Sequence, residues 1–292
     1  MKNNDDLEFT GERFTPECVR EIWYEHYHRY AFAKRLVGDK NILDAACGEG
    51  YGSYILSDSA KSVTGIDIDA DSINHASSRY QKQNLEYLNA SCLDLPFEDQ
   101  SFDVIVSFET LEHLAEQEQM ISEFNRVLKA DGMLIISTPD KKHYSDETGF
   151  TNEFHVKELY KNEFREILDT HWNNQHWFSQ AMMFSSMIER HDSLENKYAN
   201  DILINKQLIS DKAMLTPMYY IVLASKKLYE TDELPDLHLF SDEEQSVYSH
   251  YNKTIKDFIY LAKQHNALVK KHEKWLSIPI LGKIIKFLDK RQ

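Results

Sequence analysis

Asp44 closes an apolar run, ILDA, and leads into a glycine-rich turn, ACGEGYG; Asp67 closes the next apolar run, SVTGID. An acid at a strand end, then a glycine turn, then a helix lets backbone approach a ligand closely, because glycine has no side chain to block it. Amides at the start of that helix can face a carboxylate. Asp67 stands where it can accept hydrogen bonds from two ribose hydroxyls. A nicotinamide dinucleotide would want GxGxxG for its pyrophosphate, and Asp44 just before the turn would repel that group. A sulfonium amino acid fits better, with an ammonium for the acid and a carboxylate for the amides. A second group lies in SFETLEHL, where Glu109, Glu112 and His113 share one face if the segment opens a helix. His155, in NEFHVKEL, precedes a later helix. Glu109, His113 and His155 are candidate general bases, and with Glu112 they form a donor set for a hard or borderline divalent ion such as Mg2+ or Mn2+.

These residues need a scaffold, and the pattern supplies one. Strand-like runs at Asn41 to Ala45, Ser62 to Asp67, Leu85 to Ala90, Phe102 to Phe108 and Gly132 to Thr138 alternate with helix-length gaps. That alternation predicts an α/β, doubly wound, mostly parallel sheet. Their short apolar cores suit strands covered on both faces. A further strand pair is expected at His176 to Phe184 and Met218 to Lys227, around an insertion at 185–215 with its own helix. The division is then an N-terminal helical cap over the ligand site at 1–40, a catalytic domain at 41–229, an acidic linker at 230–247 and a C-terminal helix at 248–292.

Taken together, DAACGEG, GIDID and SCLDLPFEDQSFDVIVSFE resemble the motifs of class I S-adenosylmethionine-dependent methyltransferases, over roughly Asn41 to Lys227. The resemblance implies S-adenosyl-L-methionine as cofactor and a Rossmann-like fold. It places the cofactor against Asp44, Ala45, Ala46, Gly48, Gly50 and Phe108, its ribose on Asp67 and its adenine beside Ile68, Ser91, Cys92 and Leu93. Ala46 stands where the family has its first glycine, and Ser91 where many relatives carry an aspartate against the adenine amino group. ExxEH with a later histidine is similar to metal-dependent methyltransferases of the terminal ribose of small RNAs and to some quinone O-methyltransferases. EHL also occurs in relatives without a metal, which leaves a simple base or a structural role open. Segments like GERFTPE and EHYHRYAFA fold over the cofactor in relatives, with Arg13, Tyr27 and Tyr30 available here. Asp140, His143 and Tyr144 are further substrate contacts.

The whole arrangement looks like methyltransferases of bacterial surface polysaccharide and glycolipid synthesis. The leading expectation is therefore O-methylation of a sugar hydroxyl on a glycan, glycolipid or nucleotide sugar. The alternatives are methylation of a quinone-like lipid and a non-catalytic cofactor-binding scaffold. A net charge of −15 opposes general nucleic-acid binding. Cys18, Cys47 and Cys92 have no metal spacing and read as free thiols. With no apolar stretch behind a basic start and no long apolar run, the expected location is cytoplasmic. Residues 253–292 carry ten Lys and Arg against three acids, leaving −22 for the rest. Tyr248, Tyr251, Ile255, Phe258, Ala262, His265, Val269, His272 and Leu276 form a heptad stripe, for packing on the body or a homodimer. Residues 275–292 mix apolar and basic side chains, as an interfacial anchor or a docked terminal helix would.

Overall fold

The computed structural model describes residues 21–183, 185, 201–204, 207–210, 216–228 and 234–279, with backbone alone at 201–210. Arg13, Cys18, most of the 185–215 insertion and most of the 275–292 segment lie outside the described residues. The chain divides into two units after Phe240.

The first unit contains α1 (Glu21–Lys34), β1 (Asn41–Ala45), α2 (Tyr51–Leu56), β2 (Ser62–Asp67), α3 (Ala70–Arg79) and β3 (Leu85–Asn89). It continues with β4 (Phe102–Phe108), α4 (Gln117–Val127), β5 (Leu128–Pro139), α5 (Lys161–Asp169), β6 (Asn174–Gln180), β7 (Asp201–Ile204), β8 (Gln207–Ser210) and β9 (Tyr219–Ser225). The main sheet has the order β3-β2-β1-β4-β5-β9-β6. Neighbours are parallel from β3 to β5, and β9 runs antiparallel to both β5 and β6. The strand order reverses between β1 and β4, which opens a crevice at their carboxyl ends. Within the insertion the described elements are the antiparallel strands β7 and β8, and the helix expected in it falls outside the described residues.

Alternation along the strands sorts the core into two layers, because successive side chains leave a strand on opposite faces. Leu43, Ile105, Leu134 and Ile136 face Met120, Ile121 and Phe124 of α4 and Phe164 and Leu168 of α5. Ile42, Val104, Val106 and Ile135 face Tyr30, Phe32 and Ala33 of α1 and Tyr51 and Leu56 of α2. The second unit holds α6 (Ser246–Leu276), which covers the heptad stripe in one helix. No described helix is long and apolar enough to cross a membrane.

Candidate active site

The turn after β1 is built from left-handed backbone: Ala46 has φ 59°, Gly48 φ 56° and Gly50 φ 93°. Each departure from the right-handed regions is free for glycine but costs a residue with a Cβ roughly 1–2 kcal/mol. Ala46→Gly is therefore expected to stabilise the fold by up to about 1 kcal/mol, after the greater freedom of glycine in the unfolded chain is subtracted. Urea unfolding checks it. Asp67 locks the turn, as its Oδ2 accepts from the Gly48 amide at 2.9 Å and its Oδ1 from the Asp69 amide at 2.9 Å. Glu49, buried inside the turn, accepts from Tyr80 Oη at 2.9 Å and meets His75 Nε2 at 2.9 Å, which ties the turn to α3 and its C-terminal end.

The cavity over this turn has a volume of about 440 Å3 and runs continuously from β2 to the loops after β4 and β5. That is room for a small-molecule ligand. Ile22, His26 and Tyr30, four residues apart on α1, line it from the N-terminal side. Tyr30 is fixed there by Asp44, to which its hydroxyl donates at 3.1 Å, and by close packing on Gly52. A Cβ at Gly52 would sit 2.0 Å from the Tyr30 ring, so only glycine lets α1 approach this closely. Tyr27 instead stacks between Trp23 and Tyr51.

Of the residues singled out for the cofactor, Ala46, Gly48, Asp67, Ile68, Ser91, Cys92 and Phe108 line the cavity. Asp44, Ala45, Gly50 and Leu93 do not. Asp44 lies behind the turn, fully buried, and accepts from Ser53 Oγ at 2.6 Å as well as from Tyr30. Burial pushes its carboxyl up from 3.8 to about 7, against the two hydroxyl donors. The buried form is thus the protonated one at moderate acidity, while the unfolded chain releases this proton near 3.8. Stability from this group is full below about 4, falls as the pH rises to about 7, and the total loss is of order 4 kcal/mol. Asp44→Asn should flatten this slope, which urea unfolding at pH 5 and pH 8 measures. Burial likewise raises the Cys92 thiol to about 12, and the Cys47 thiol rises well above its ordinary value.

At the other end stand Glu109, Glu112, His113 and His155, all on the cavity wall. They do not arrive on one α-helical face. Leu111–His113 form a single 3₁₀ turn, and Glu109 precedes it with φ 50°. Its carboxylate turns away to Ser137 Oγ at 2.6 Å and to Arg29 Nη1 at 3.7 Å. Glu112, His113 and His155 do converge, with one donor atom from each lying within 4.8 Å of the others. The Glu112 carbonyl accepts from the amides of Val156 and Lys157 at 2.9 and 3.0 Å, and so draws the distant His155 segment to the turn. His113 Nδ1 sits 3.1 Å from the Phe154 carbonyl, and His155 Nδ1 sits 2.5 Å from Glu158 Oε1. Each Nδ1 therefore carries the proton; the Nε2 of His155 accepts from Asn152 Nδ2 at 2.9 Å, and that of His113 lies 3.9 Å from Glu112 Oε1. Glu112 Oε2 accepts from Thr138 Oγ1 at 3.1 Å, while the buried Oε1 has no hydrogen-bond partner. Burial, reinforced by Glu109, pushes the Glu112 carboxyl well above its ordinary range.

Several residues of this site went unmarked in the sequence reading. Arg29 is buried over the Tyr219 ring, 4.8 Å from its centroid, and its Nη1 donates to Gln180 at 2.9 Å. Glu25, one helical turn earlier, accepts from Tyr219 Oη at 3.1 Å, and burial raises its carboxyl to about 7. The signal was an arginine at i+4 from a glutamate within an aromatic helix. Tyr144 stacks on His155 at 5.4 Å, while Asp140 and His143 pair with each other outside the cavity lining.

A methyltransferase domain model matches residues 43–136. A "probable S-adenosylmethionine-dependent methyltransferase" of Mycolicibacterium smegmatis is 36% identical over 168 residues, covering 56% of this chain and 64% of that protein. The ubiquinone/menaquinone biosynthesis C-methyltransferase UbiE of Campylobacter jejuni is 29% identical over 128 residues, covering 41% of this chain and 54% of the relative. The chain thus spans less than two thirds of the length of either. Among solved structures, YcgJ of Bacillus subtilis shares the fold, with TM-score 0.51 and 17% identity over 69% of this chain and 100% of its own. Residues 43–136, which match the methyltransferase domain model, carry the turn after β1, Asp67 and the Glu112 turn.

Proposed function

We propose that the chain is an S-adenosylmethionine-dependent methyltransferase that O-methylates a hydroxyl of an uncharged saccharide on a glycan or glycolipid. The observation that carries this reading is one cavity with two unlike ends, an aspartate and left-handed turn at one and a Glu–His–His group at the other. The residues fit the cofactor. Asp67 stands on the cavity wall at the end of β2, where ribose hydroxyls can reach it, and Ile68, 77% exposed beside it, offers an aliphatic face to adenine. When bound, S-adenosylmethionine supplies an electrophilic methyl group on a sulfonium. The protein's part is to align the acceptor hydroxyl, exclude water and take the proton. The acceptor hydroxyl donates to the buried Glu112 Oε1, which takes its proton, while His113 and His155 line the wall around it.

The same three residues also bring donor atoms within 4.8 Å of one another, with a buried Glu112 oxygen that has no hydrogen-bond partner, a set a divalent cation could use once Asn152 releases His155 Nε2. A cation there would lower the pKa of a hydroxyl of a vicinal diol. If it is used, a chelator should remove turnover and added Mg2+ or Mn2+ restore it; turnover unchanged in chelator rejects it.

The acceptor's lack of charge follows from the wall. Asp67, Asp69, Glu109 and Glu112 line the cavity, and no Lys or Arg does so among the described residues. A diphosphate would find no Lys or Arg on this wall to receive it, which disfavours a nucleotide sugar. We expect kcat/KM for a neutral glycoside to exceed that for its phosphorylated form by roughly tenfold or more. Equal rates would remove this assignment. The likeness to the Campylobacter jejuni enzyme supports a quinone-like lipid as second acceptor. Mass spectrometry of the product separates the two, as a methyl ether on sugar or a new C–methyl bond. Tight cofactor binding without turnover on any acceptor would leave only the scaffold reading.

A further inference from the structure

α6 has a charge pattern that methyl transfer does not use. Ile255, Ala262, Val269 and Leu276 recur every seven residues, with Tyr248, Tyr251 and Phe258 between their turns. No side chain of the helix is buried, and Ile255 and Phe258 are 55% and 71% exposed. At 100° per residue, the arc from Ile259 through Ile255 to Phe258 spans about 100°. Lys256, Lys263 and Lys270 also recur every seven residues, each directly after a member of the apolar file. With Lys274 they occupy an arc of about 40° that borders the Ile259 edge.

We propose that this face of α6 lies in the plane of an anionic lipid surface, its apolar file among the acyl chains and its lysine file on the headgroup phosphates. Lysine stems can lie along apolar surface while their ammonium groups reach outward to phosphate. A two-stranded coil with a second copy is the poorer fit. Its flanking positions would carry charges of both signs, whereas here they hold Ile259, Leu261, Leu268 and Trp275. His265 and His272 would fall in its seam. Charge complementarity favours the lipid. Asp257 and Glu273 are the acids of α6, and residues 253–292 balance to +7 against −22 in the rest of the chain, so an anionic surface attracts this end alone.

The test is co-sedimentation of the full chain with phosphatidylcholine vesicles, with and without phosphatidylglycerol. Two variants are compared, Lys256→Gln/Lys263→Gln/Lys270→Gln and Phe258→Asp, each leaving residues 280–292 unchanged. Circular dichroism confirms that both keep their helix content. The chain should bind only the vesicles with phosphatidylglycerol, and either variant should weaken binding by roughly tenfold or more. Equal binding by the lysine variant, or none by the unaltered chain, overturns the proposal. So does a dimer in sedimentation equilibrium that Phe258→Asp dissociates. None of these readouts depends on methyl transfer.

Discussion

Glu112→Gln should leave a folded, cofactor-binding protein whose turnover is lower by about 10²–10⁴-fold, the usual worth of a positioned general base. The amide is isosteric and can still accept from Thr138 Oγ1 at the position where Glu112 Oε2 does so now, at 3.1 Å. Folding should not suffer, since burial already holds this carboxyl well above its ordinary range and favours its neutral form. A base whose pKa is raised is used at higher pH, so the rate of the unaltered chain should climb with pH while that of the variant stays flat. Steady-state kinetics beside a calorimetric titration with S-adenosylhomocysteine separates loss of turnover from loss of binding. Undiminished turnover would move the proton acceptor elsewhere, with His113 and His155 next in line.

Asp67→Ala should weaken S-adenosylhomocysteine by about 1–3 kcal/mol, the value of one or two hydrogen bonds to a charged acceptor. That corresponds to roughly 5- to 150-fold in Kd. The carboxylate acts twice here, because it also receives the amides of Gly48 and Asp69 and so holds the turn in shape. Asp67→Asn keeps one acceptor oxygen and should fall between the two. The hydrophobic layers do not include Asp67, so the fold should stay intact, with the melting temperature lowered by loss of the two turn hydrogen bonds while affinity falls. Affinity unchanged in both variants would separate this aspartate from the cofactor.

The sheet was legible because each parallel strand is a short apolar run bounded by turn residues. Asn41–Ala45, Ser62–Asp67 and Phe102–Phe108 have the bounds read from the sequence. β5 runs from Leu128 to Pro139, longer than the apolar run from Gly132 to Thr138, because Lys129 and Asp131 break the apolar pattern. The acidic end of the site was harder to read. SFETLEHL has the spacing of a helical face, yet β5 supplies Ser137 and α1 supplies Arg29, and together they take Glu109 out of the group. Nothing local records contacts made across so much of the chain. Asp44 shows the same limit: its place before the turn marks it for a ligand, and only packing against Tyr30 and Ser53 puts it behind the wall. His155 was legible as a candidate by type, and the Glu112 carbonyl that captures its segment is a backbone contact invisible to residue type.

We propose above all that the cavity over the turn after β1 receives S-adenosylmethionine, with the acceptor beyond it. A crystal structure of the chain grown with S-adenosylhomocysteine tests this most directly. Ribose hydroxyls are expected on Asp67, adenine against Ile68, and the sulfur facing the open space before Glu112, His113 and His155. A cavity left empty at saturating ligand, or a ligand held with its sulfur turned away from those three residues, would contradict it.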